Sequence, residues 1–345
     1  MKSAQSLLVF SQNVLCKAGL DTEKAFHTAD ILLEGELLGH RTHGLQLLPS
    51  YVAELENNTM AKTGEAKLLN DMGAVLALDG NYLPGPWLVN KAIEEACKRA
   101  NQFGTAIVTI QKSHHIACLA AYLEKVARQG FMILLACSDP RNKTVAPFGG
   151  LNGTYSPNPL AVGIPTESAP LMIDVSMSVT SNALVARAHR NQERLPHNWL
   201  LDAQGQVTDD PAAFFDTPAG SILPLGGLDS GYKGFALGLL IEALTSALGG
   251  HGRSDKPSLW GASVYIQIIS PQGFAGEQAF KKETEYFKNQ CLSSNPIDSS
   301  RPVRMPGERG LALKEQQLTE GVSLLAETEN ALIALGEKYG LTLAR

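Results

Sequence analysis

A histidine at position 43 is the first residue whose type and surroundings suggest proton-transfer chemistry. The tripeptide Thr42-His43-Gly44 follows a predicted helix, so the imidazole is expected at an irregular element, where Gly44 leaves room for a ligand. A free imidazole has a pKa of about 6.5 and exchanges a proton near neutrality. Reduction of a carbonyl needs such a donor as the alkoxide forms. A lone histidine can equally be packed or solvated, so a structural role stays open.

Metal chemistry is not predicted. His40 and His43 lie one turn apart, but no carboxylate follows the first histidine as in H-E-x-x-H. The five cysteines are scattered and form no Cys-x-x-Cys pair, which argues against a structural zinc site and against a disulfide framework. We therefore expect no metal and mostly reduced, buried cysteines.

Three other segments could contact a ligand. Ser113-His114-His115 precedes a predicted helix, so an imidazole could face a ligand there or simply begin the helix. Asp174 ends an apolar strand and could hold a ribose hydroxyl or cap the next turn. The stretch from Gly226 to Gly234 places flexible backbone and the Lys233 ammonium at a helix start, which favours a phosphate or carboxylate. A plain glycine-rich turn with a solvated lysine fits the same stretch.

The elements that must position these residues alternate along the middle of the chain. Residues 1 to about 56 have helical patterns, and strands are predicted near 74–78, 105–110, 131–137, 160–164, 171–175 and 264–268. Helical stripes lie between them, and two more helices close the chain. Residues 187 to 232 lack periodicity and are predicted as loops. Neither G-x-G-x-x-G nor a P-loop motif occurs, so this α/β chain is not an ordinary Rossmann or P-loop protein.

Composition narrows the class of protein. The 345 residues are 44% hydrophobic and can bury a sizeable core. The 29 Lys and Arg against 34 Asp and Glu give a net charge of −5, which argues against general binding to nucleic acids or anionic membranes. No apolar run approaches the roughly 18 residues of a transmembrane helix, and no signal-peptide core forms at the N-terminus. We expect a cytoplasmic chain that binds small molecules or copies of itself.

A set of short segments, in order along nearly the whole chain, resembles the type-2 malate/L-lactate dehydrogenase family, which includes ureidoglycolate dehydrogenase, diketogulonate reductase and Δ1-piperideine-2-carboxylate reductases. The matching stretches are Leu38-Gly39-His40-Arg41-Thr42-His43-Gly44, Pro49-Ser50-Tyr51, Ser113-His114-His115, Pro147-Phe148-Gly149-Gly150, Asn158-Pro159-Leu160, Met172 to Ser178, Leu223-Pro224-Leu225-Gly226-Gly227, Tyr232-Lys233-Gly234 and Met305-Pro306-Gly307-Glu308. The resemblance implies an α/β, non-Rossmann nicotinamide-binding fold with a helical domain formed by the chain ends. We predict a mainly helical domain of residues 1–72 plus 296–345 and an α/β cofactor- and substrate-binding domain of residues 73–295.

The resemblance also implies a reaction and its residues. Hydride would pass between NAD or NADP and a 2-oxo or 2-hydroxy acid, with His43 as the proton donor and Thr42 in the place of the family's usual serine. The residues implied to line the cofactor and substrate pocket or to hold the cofactor are His115, Ile116, Leu119, Asp174, Ser176, Met177, Ser178, Lys233, Gly307, Glu308 and Arg309. Arg187, His189 and Arg190 could receive a 2′-phosphate or form a solvated basic face. Family members are typically homodimers with sites near the subunit interface.

Three departures from the family pattern leave the substrate open. Leu47 replaces the arginine that often binds the substrate carboxylate, Leu184 replaces a frequent Asp or Lys, and Cys137-Ser138-Asp139 replaces Thr-Asn-Ser. Another arginine, Arg41, Arg141 or Arg309, could bind the carboxylate of a larger or more apolar substrate. The alternatives are a reductase of cyclic imine acids (Δ1-piperideine-2-carboxylate or Δ1-pyrroline-2-carboxylate) and a catalytically silent cofactor-binding dimer.

Overall fold

A seven-stranded mixed sheet forms the centre of the molecule. The computed structural model describes residues 1–343. Its helices are α1 Ala4–Lys17, α2 Thr22–Leu37, α3 Leu48–Glu56, α4 Gly85–Phe103, α5 Leu123–Arg128, α6 Asn182–Arg190, α7 Gly227–Glu242, α8 Glu277–Leu292, α9 Glu308–Glu320 and α10 Ala326–Tyr339. Its strands are β1 Lys67–Asp71, β2 Val75–Asp79, β3 Thr105–Ser113, β4 Met132–Ser138, β5 Leu160–Ile164, β6 Leu171–Val175, β7 Leu200–Leu201, β8 Val207–Thr208, β9 Ser221–Ile222 and β10 Ala262–Ile269. The predicted α/β class is confirmed.

The strand order of the large sheet is β1-β2-β3-β10-β4-β5-β6. Only β2 and β3 pair in parallel; the other neighbouring strands in this sheet are antiparallel. Strand β10 comes late in the chain but inserts between β3 and β4, and six of its eight residues are buried. This arrangement differs from the all-parallel sheet of a Rossmann domain, in agreement with the missing glycine motif.

Helices from the two chain ends pack against one another. Helix α10 lies against α1 and α3, and α9 lies against α2. The backbones of Lys2 and Val322 also pair. Side chains cap the N-termini of α1 and α2. The Ser3 side chain accepts a hydrogen bond from the Ser6 N–H, and the Asp21 side chain accepts one from the Lys24 N–H. The division at residues 72 and 296 stays a prediction; strand β1 lies before residue 73 but pairs with β2.

Residues 187–232 contain more structure than the predicted loops. A small sheet of order β8-β7-β9 lies there, α6 extends to Arg190, and α7 already begins at Gly227. Two-residue strands are too short to show a period of two, which is why the sequence pattern did not reveal them. Lys233 is not at the start of α7 but follows a break in it at Ser230, which has φ −131° and ψ 20°.

No helix within residues 1–343 has the length and hydropathy needed to cross a membrane.

Candidate active site

His43 lies in a tight turn directly after helix α2. The helix ends at Leu37, Gly39 adopts φ +83°, and Arg41–His43 forms one 3₁₀ turn. The next residue must be glycine, because a Cβ on Gly44 would lie 2.7 Å from Oε2 of Glu36. The space beside Gly44 is therefore filled by a carboxyl group of this chain, and the expectation that it leaves room for a ligand is wrong.

That carboxyl group is almost completely buried. Glu36 is 1% exposed, its Oε2 accepts a hydrogen bond from the Leu45 N–H at 3.2 Å, and Arg41 Nε lies 4.0 Å from its Oε1. Burial raises the pKa of Glu36 to about 7, against the smaller opposing effects of that hydrogen bond and of Arg41. Glu36 thus fixes the turn that carries His43 and is itself close to its titration point at neutral pH.

The His43 ring is oriented by its neighbour in sequence. Thr42 Oγ1 lies 3.0 Å from His43 Nδ1, which leaves Nε2 for another partner. Burial, together with the charge of nearby His40, lowers the pKa of His43 to about 4. A group with that pKa is neutral at pH 7 and can accept a proton.

A second imidazole stands beside the first. The ring centroids of His43 and His115 are 5.9 Å apart at an interplanar angle of 29°, and Trp260 stacks on His115 at 4.6 Å and 28°. His115 Nδ1 accepts a hydrogen bond from the Ala117 N–H at 3.3 Å and lies 2.9 Å from the Tyr51 hydroxyl. Burial holds the pKa of His115 well below its usual value. The three rings form a column with His43 at one end.

His114 has a different environment from His115. Its side chain is fully buried, its Nε2 lies 3.4 Å from Glu54 Oε2, and it packs edge-on against Tyr51 and Trp260. Burial lowers the pKa of His114 to about 4 although Glu54 acts in the opposite direction. Of the two adjacent histidines, His115 is therefore the one that faces His43, and His114 is part of the packing behind it.

The end of strand β6 meets the segment that follows His115. The Ala120 N–H donates a hydrogen bond to Oδ2 of Asp174 at 3.0 Å. Ile116 and Leu119, implied to line the pocket, are 1% and 5% exposed in the same segment. Burial raises the pKa of Asp174, and the charge of His40 partly opposes that effect.

Two further predicted segments connect to this strand. The Met172 N–H donates to the carbonyl of Pro306, and Gly307, at φ +88°, lies so close that a Cβ there would be 2.6 Å from Met172 Cβ. After the strand, Ser176 Oγ donates to the carbonyl of Ser178, and Met177 accepts a bond from the Leu225 N–H at 3.0 Å. The 305–309 turn and the glycine-rich stretch thus reach the two ends of β6.

The charged side chains of these segments point outward. Lys233 is exposed, with its ammonium 5.8 Å from the ring of Tyr232. Arg309 is also exposed, and Oε2 of Glu308 accepts a hydrogen bond from the Met305 N–H. The structure therefore brings together Thr42, His43, His115 and Asp174 with their segments, whereas Lys233 and Arg309 lie at the periphery.

Comparison with known proteins identifies the chain. The sequence profile of the family described as malate/L-lactate dehydrogenase matches residues 3–333. The chain belongs to the malate/L-lactate dehydrogenase family. It is 28% identical to hydroxycarboxylate dehydrogenase B of Escherichia coli O157:H7 over 98% of this chain and 94% of that protein. It is 29% identical to an L-lactate dehydrogenase of Cupriavidus necator over 91% of each.

Solved structures of similar proteins have the same fold as this chain. A dehydrogenase from Sinorhizobium meliloti superimposes with a TM-score of 0.85 at 28% identity, covering 97% of this chain and 98% of that one. Malate dehydrogenase from Entamoeba histolytica has the same fold, with a TM-score of 0.92 at 22% identity and 99% coverage of both chains. The resemblance inferred from the short segments is confirmed: the protein is an oxidoreductase of a hydroxy acid dehydrogenase family, and membership implies a nicotinamide cofactor.

Residues at the N-terminus of α7 fit a nicotinamide dinucleotide. A Cβ built on Gly227 would meet no atom of the described chain within 4 Å, so the N-terminus of α7 opens onto free space. The first residues of α7, ahead of its break at Ser230, lie there, and the Lys233 ammonium follows within two turns. The N-terminus of α9 also lies beside a cationic side chain, that of Arg309, but Gly307 there packs closely against Met172. The open end of α7 with its lysine suits a phosphate of a dinucleotide.

The leucines that depart from the family pattern have packing roles in this dehydrogenase. Leu47 packs on the main hydrophobic core, and Leu184 packs on a smaller core cluster that includes Val145 and Tyr155. Neither offers a polar group to a substrate.

Several contributors to the site were not found from the sequence. Trp260 comes far along the chain from His115, and only the insertion of β10 beside β3 brings the two rings together. Glu36 is the next-to-last residue of α2, and the helical pattern there gave no sign of a buried carboxyl group. Cys118 lies near His40 and Asp174, although the three are widely separated in sequence.

Proposed function

We propose that the protein interconverts a 2-hydroxy acid and the corresponding 2-oxo acid, with His43 as the group that transfers the proton. The observation that carries the proposal is the placement of that imidazole: its Nδ1 lies 3.0 Å from Thr42 Oγ1, and its ring stands beside that of His115. Because Thr42 occupies Nδ1 and burial favours the neutral ring, Nε2 can exchange a proton with a substrate hydroxyl group.

In the oxidation direction, Nε2 of His43 accepts the proton of the 2-hydroxyl group. Thr42 Oγ1 holds Nδ1 in the tautomer that leaves Nε2 unprotonated, since an Nδ1–H can donate to the hydroxyl oxygen. The nicotinamide supplies or accepts hydride when bound. In the reduction direction the same Nε2 returns its proton to the carbonyl oxygen.

Arg141 is our candidate for the substrate carboxylate in the place of the missing arginine. Its Nη1 reaches the carbonyl of Ser258 at 3.5 Å, two residues before Trp260, which stacks on His115. Arg41, by contrast, faces the Glu36 carboxyl group. An exposed guanidinium near the ring column can still form a bidentate pair with a carboxylate.

The cofactor is NAD or NADP. We assign its nicotinamide half to the pocket formed by His115, Ile116 and Leu119, and its ribose and phosphates to Asp174, the 176–178 turn and the N-termini of α7 and α9. Arg187, His189 and Arg190 lie in the last turn of α6, where cations also stabilise the helix dipole, so they do not decide between the two cofactors.

We also propose that the protein works as a homodimer. Helix α7 turns glycines inward and leucines outward: Gly231, Gly234 and Gly238 are buried, whereas Leu228, Leu239 and Leu240 are 57%, 55% and 49% exposed. Clustered exposed leucines on one helix are typical of a surface that a partner covers. The same helix begins at the proposed phosphate site, which agrees with active sites close to the subunit interface.

The test of the proton-transfer role is His43→Asn. The variant should bind NADH or NADPH, measured by cofactor fluorescence, but turn over 2-oxo acids roughly 10²- to 10⁴-fold more slowly. His27→Asn is the matched control, since His27 is half-buried on α2 and bonds to Asn90. In the wild type, kcat/KM for oxidation should lose activity only near pH 4, because the neutral form of His43 predominates above that pKa.

Near wild-type turnover of His43→Asn would remove this residue from the mechanism. Cofactor binding without turnover of any 2-oxo acid or cyclic imine acid by the wild type would instead favour the silent cofactor-binding dimer. If the wild type reduced only cyclic imine acids, the bond formed would be CH–NH, and the protein would be an imine acid reductase and not a hydroxy acid dehydrogenase.

A further inference from the structure

We infer that a groove between helices α2, α4 and α5 is a binding site for an α-amino acid with an apolar side chain. The groove has a volume of about 790 Å³, within the range of about 300–1,000 Å³ that is usual for small-ligand sites. It shares no residue with the pocket proposed for the substrate and the cofactor. Neither the family comparison nor the proposed reaction assigns it a ligand.

Part of the groove wall is apolar, and each of the three helices contributes to it. Ile31 of α2, Ile93 of α4 and Val126 of α5 line the groove and are buried. Ala121, just before α5, and Phe131, just after it, also line the groove and are buried. These five residues form the apolar surface of the groove. A ligand side chain that packs there gains about 25 cal/mol for each Å² of apolar area removed from water.

Two side chains of opposite charge line the same groove without a direct partner. Asp30 on α2 is half-buried, and no residue among 1–343 forms a hydrogen bond or an ion pair with its carboxyl group. Lys125 on α5 is exposed, and within the described residues its ammonium group has no such partner either. Burial raises the pKa of Asp30, and the charge of Lys125 opposes that effect. The two groups thus interact electrostatically but are too far apart for an ion pair, so a small ligand can contact both.

The other charged side chains of the groove already have ion-pair partners within this chain. They are Glu34, Glu94, Lys98, Glu124, Arg128 and Lys314. Lys314 Nζ, for example, lies 2.6 Å from Glu34 Oε1 and 2.8 Å from Glu124 Oε2. One carboxylate and one ammonium group are therefore left to contact a ligand.

An α-amino acid complements these two groups and the apolar surface. Its ammonium group can donate hydrogen bonds to Asp30, and its carboxylate can accept one from Lys125. Hydrogen bonds between charged groups are stronger than those between neutral groups. A diamine would place a positive charge beside Lys125, and a dicarboxylate would place a negative charge beside Asp30, and such like-charge contacts are unfavourable. The groove therefore favours a zwitterion over other small charged molecules.

Isothermal titration calorimetry of the full-length protein with L-leucine tests the site without any activity measurement. We expect one equivalent of L-leucine to bind per chain. L-Leucinamide lacks the carboxylate, and N-acetyl-L-leucine lacks the ammonium group. Each of these two derivatives should bind at least about 10-fold more weakly than L-leucine, because each loses a hydrogen bond between charged groups.

Substitutions assign the binding to the groove. Asp30→Asn and Lys125→Met should each weaken the binding of L-leucine by at least about 10-fold. Lys282→Met is the matched control, because Lys282 is an exposed lysine on helix α8, outside the groove, and this variant should keep the wild-type affinity. Thermal melting curves establish that each variant is folded. The comparison of the three ligands on the wild type decides the question even if one variant is not.

No binding of L-leucine to the wild type, or equally tight binding of either derivative, would overturn the inference. So would wild-type affinity in Asp30→Asn or in Lys125→Met, because L-leucine would then bind at another place, such as the substrate pocket. If a second copy of the chain covered the groove, L-leucine would not bind and both substitutions would lower the mass measured by light scattering, which would also contradict the inference. Failure of the His43 mechanism would leave this result unchanged, because no residue of the groove takes part in that mechanism.

Discussion

A carboxyl group buried at residue 36 makes the stability of the His43 turn depend on pH. The pKa of Glu36 is about 7 in the folded protein, above the usual value of 4.5. Its contribution to stability is therefore complete below about pH 4.5 and is lost as the pH rises through 7. The shift corresponds to about 3 kcal/mol at the conversion of 1.36 kcal/mol per pKa unit.

The substitution Glu36→Gln removes this dependence. The amide keeps an oxygen to accept the Leu45 N–H and never ionises, so the variant should gain up to about 3 kcal/mol relative to the wild type between pH 4.5 and pH 8. Urea unfolding at the two pH values measures the change. Glu56→Gln, which loses an exposed ion pair with Lys338, should show no such gain at alkaline pH. Equal stability changes for Glu36→Gln at both pH values would contradict a raised pKa.

At the same scale, the sequence marked candidate site residues but did not reveal the side chains that contact them in the folded protein. The types and local surroundings of His43, His115 and Asp174 marked them as candidates, and the family resemblance gave them roles. Trp260 and Glu36 could not be found in this way, because an aromatic residue before a strand and an acid within a helix have ordinary local patterns. Their contacts with the site depend on tertiary packing.

At the scale of elements, the strands of five or more residues with a buried face were predicted, whereas the exposed strand β1 and the two-residue strands β7, β8 and β9 were not. All five residues of β1 are exposed, so Lys67–Asp71 shows no alternation of apolar and polar residues. Strand β10 was predicted from its alternation, but its position between β3 and β4 was not, because pairing between distant segments depends on the packing of the whole sheet. That position is what brings Trp260 to His115.

The turn before α9 offers a prediction at this scale. Gly307→Ala should weaken cofactor binding, because the residue has φ +88° and a Cβ would lie 2.6 Å from Met172 Cβ, which forces the 305–309 turn away from β6.

Gly276→Ala is the matched control, since Gly276 also precedes a helix at positive φ (+95°), but a Cβ there meets no atom within 4 Å. Both should lose about 1–3 kcal/mol of stability from backbone strain. Only Gly307→Ala should raise the dissociation constant of NADH or NADPH, measured by fluorescence titration, and equal affinities in the two variants would contradict a cofactor role for this turn.

For the whole molecule, the most informative surface is the outer face of α7. Most surface helices bury their large apolar residues and expose polar ones. Helix α7 does the reverse, because its glycines allow close approach to Tyr155, Phe148 and Leu225 while the leucines lie outside. Exposed leucines lower the solubility of the isolated chain. Burying them against a second copy removes apolar area from water, and this stabilises the dimer by about 25 cal/mol per Å² of that area.

Leu239→Glu should therefore convert a dimer into a monomer, since a carboxylate at this face would have to be buried without a partner when the two copies meet. Light scattering after size-exclusion chromatography measures the mass directly. Leu318→Glu is a closely matched control: Leu318 is also 55% exposed on a helix, α9, but lies outside the α7 leucine face, and its substitution should leave the mass unchanged. Because the α7 N-terminus belongs to the proposed phosphate site, the Leu239→Glu monomer should also bind NADH or NADPH more weakly than the control does. A wild-type protein that is monomeric at micromolar concentrations, or a Leu239→Glu variant that stays dimeric, would show that this face does not join two copies of the chain.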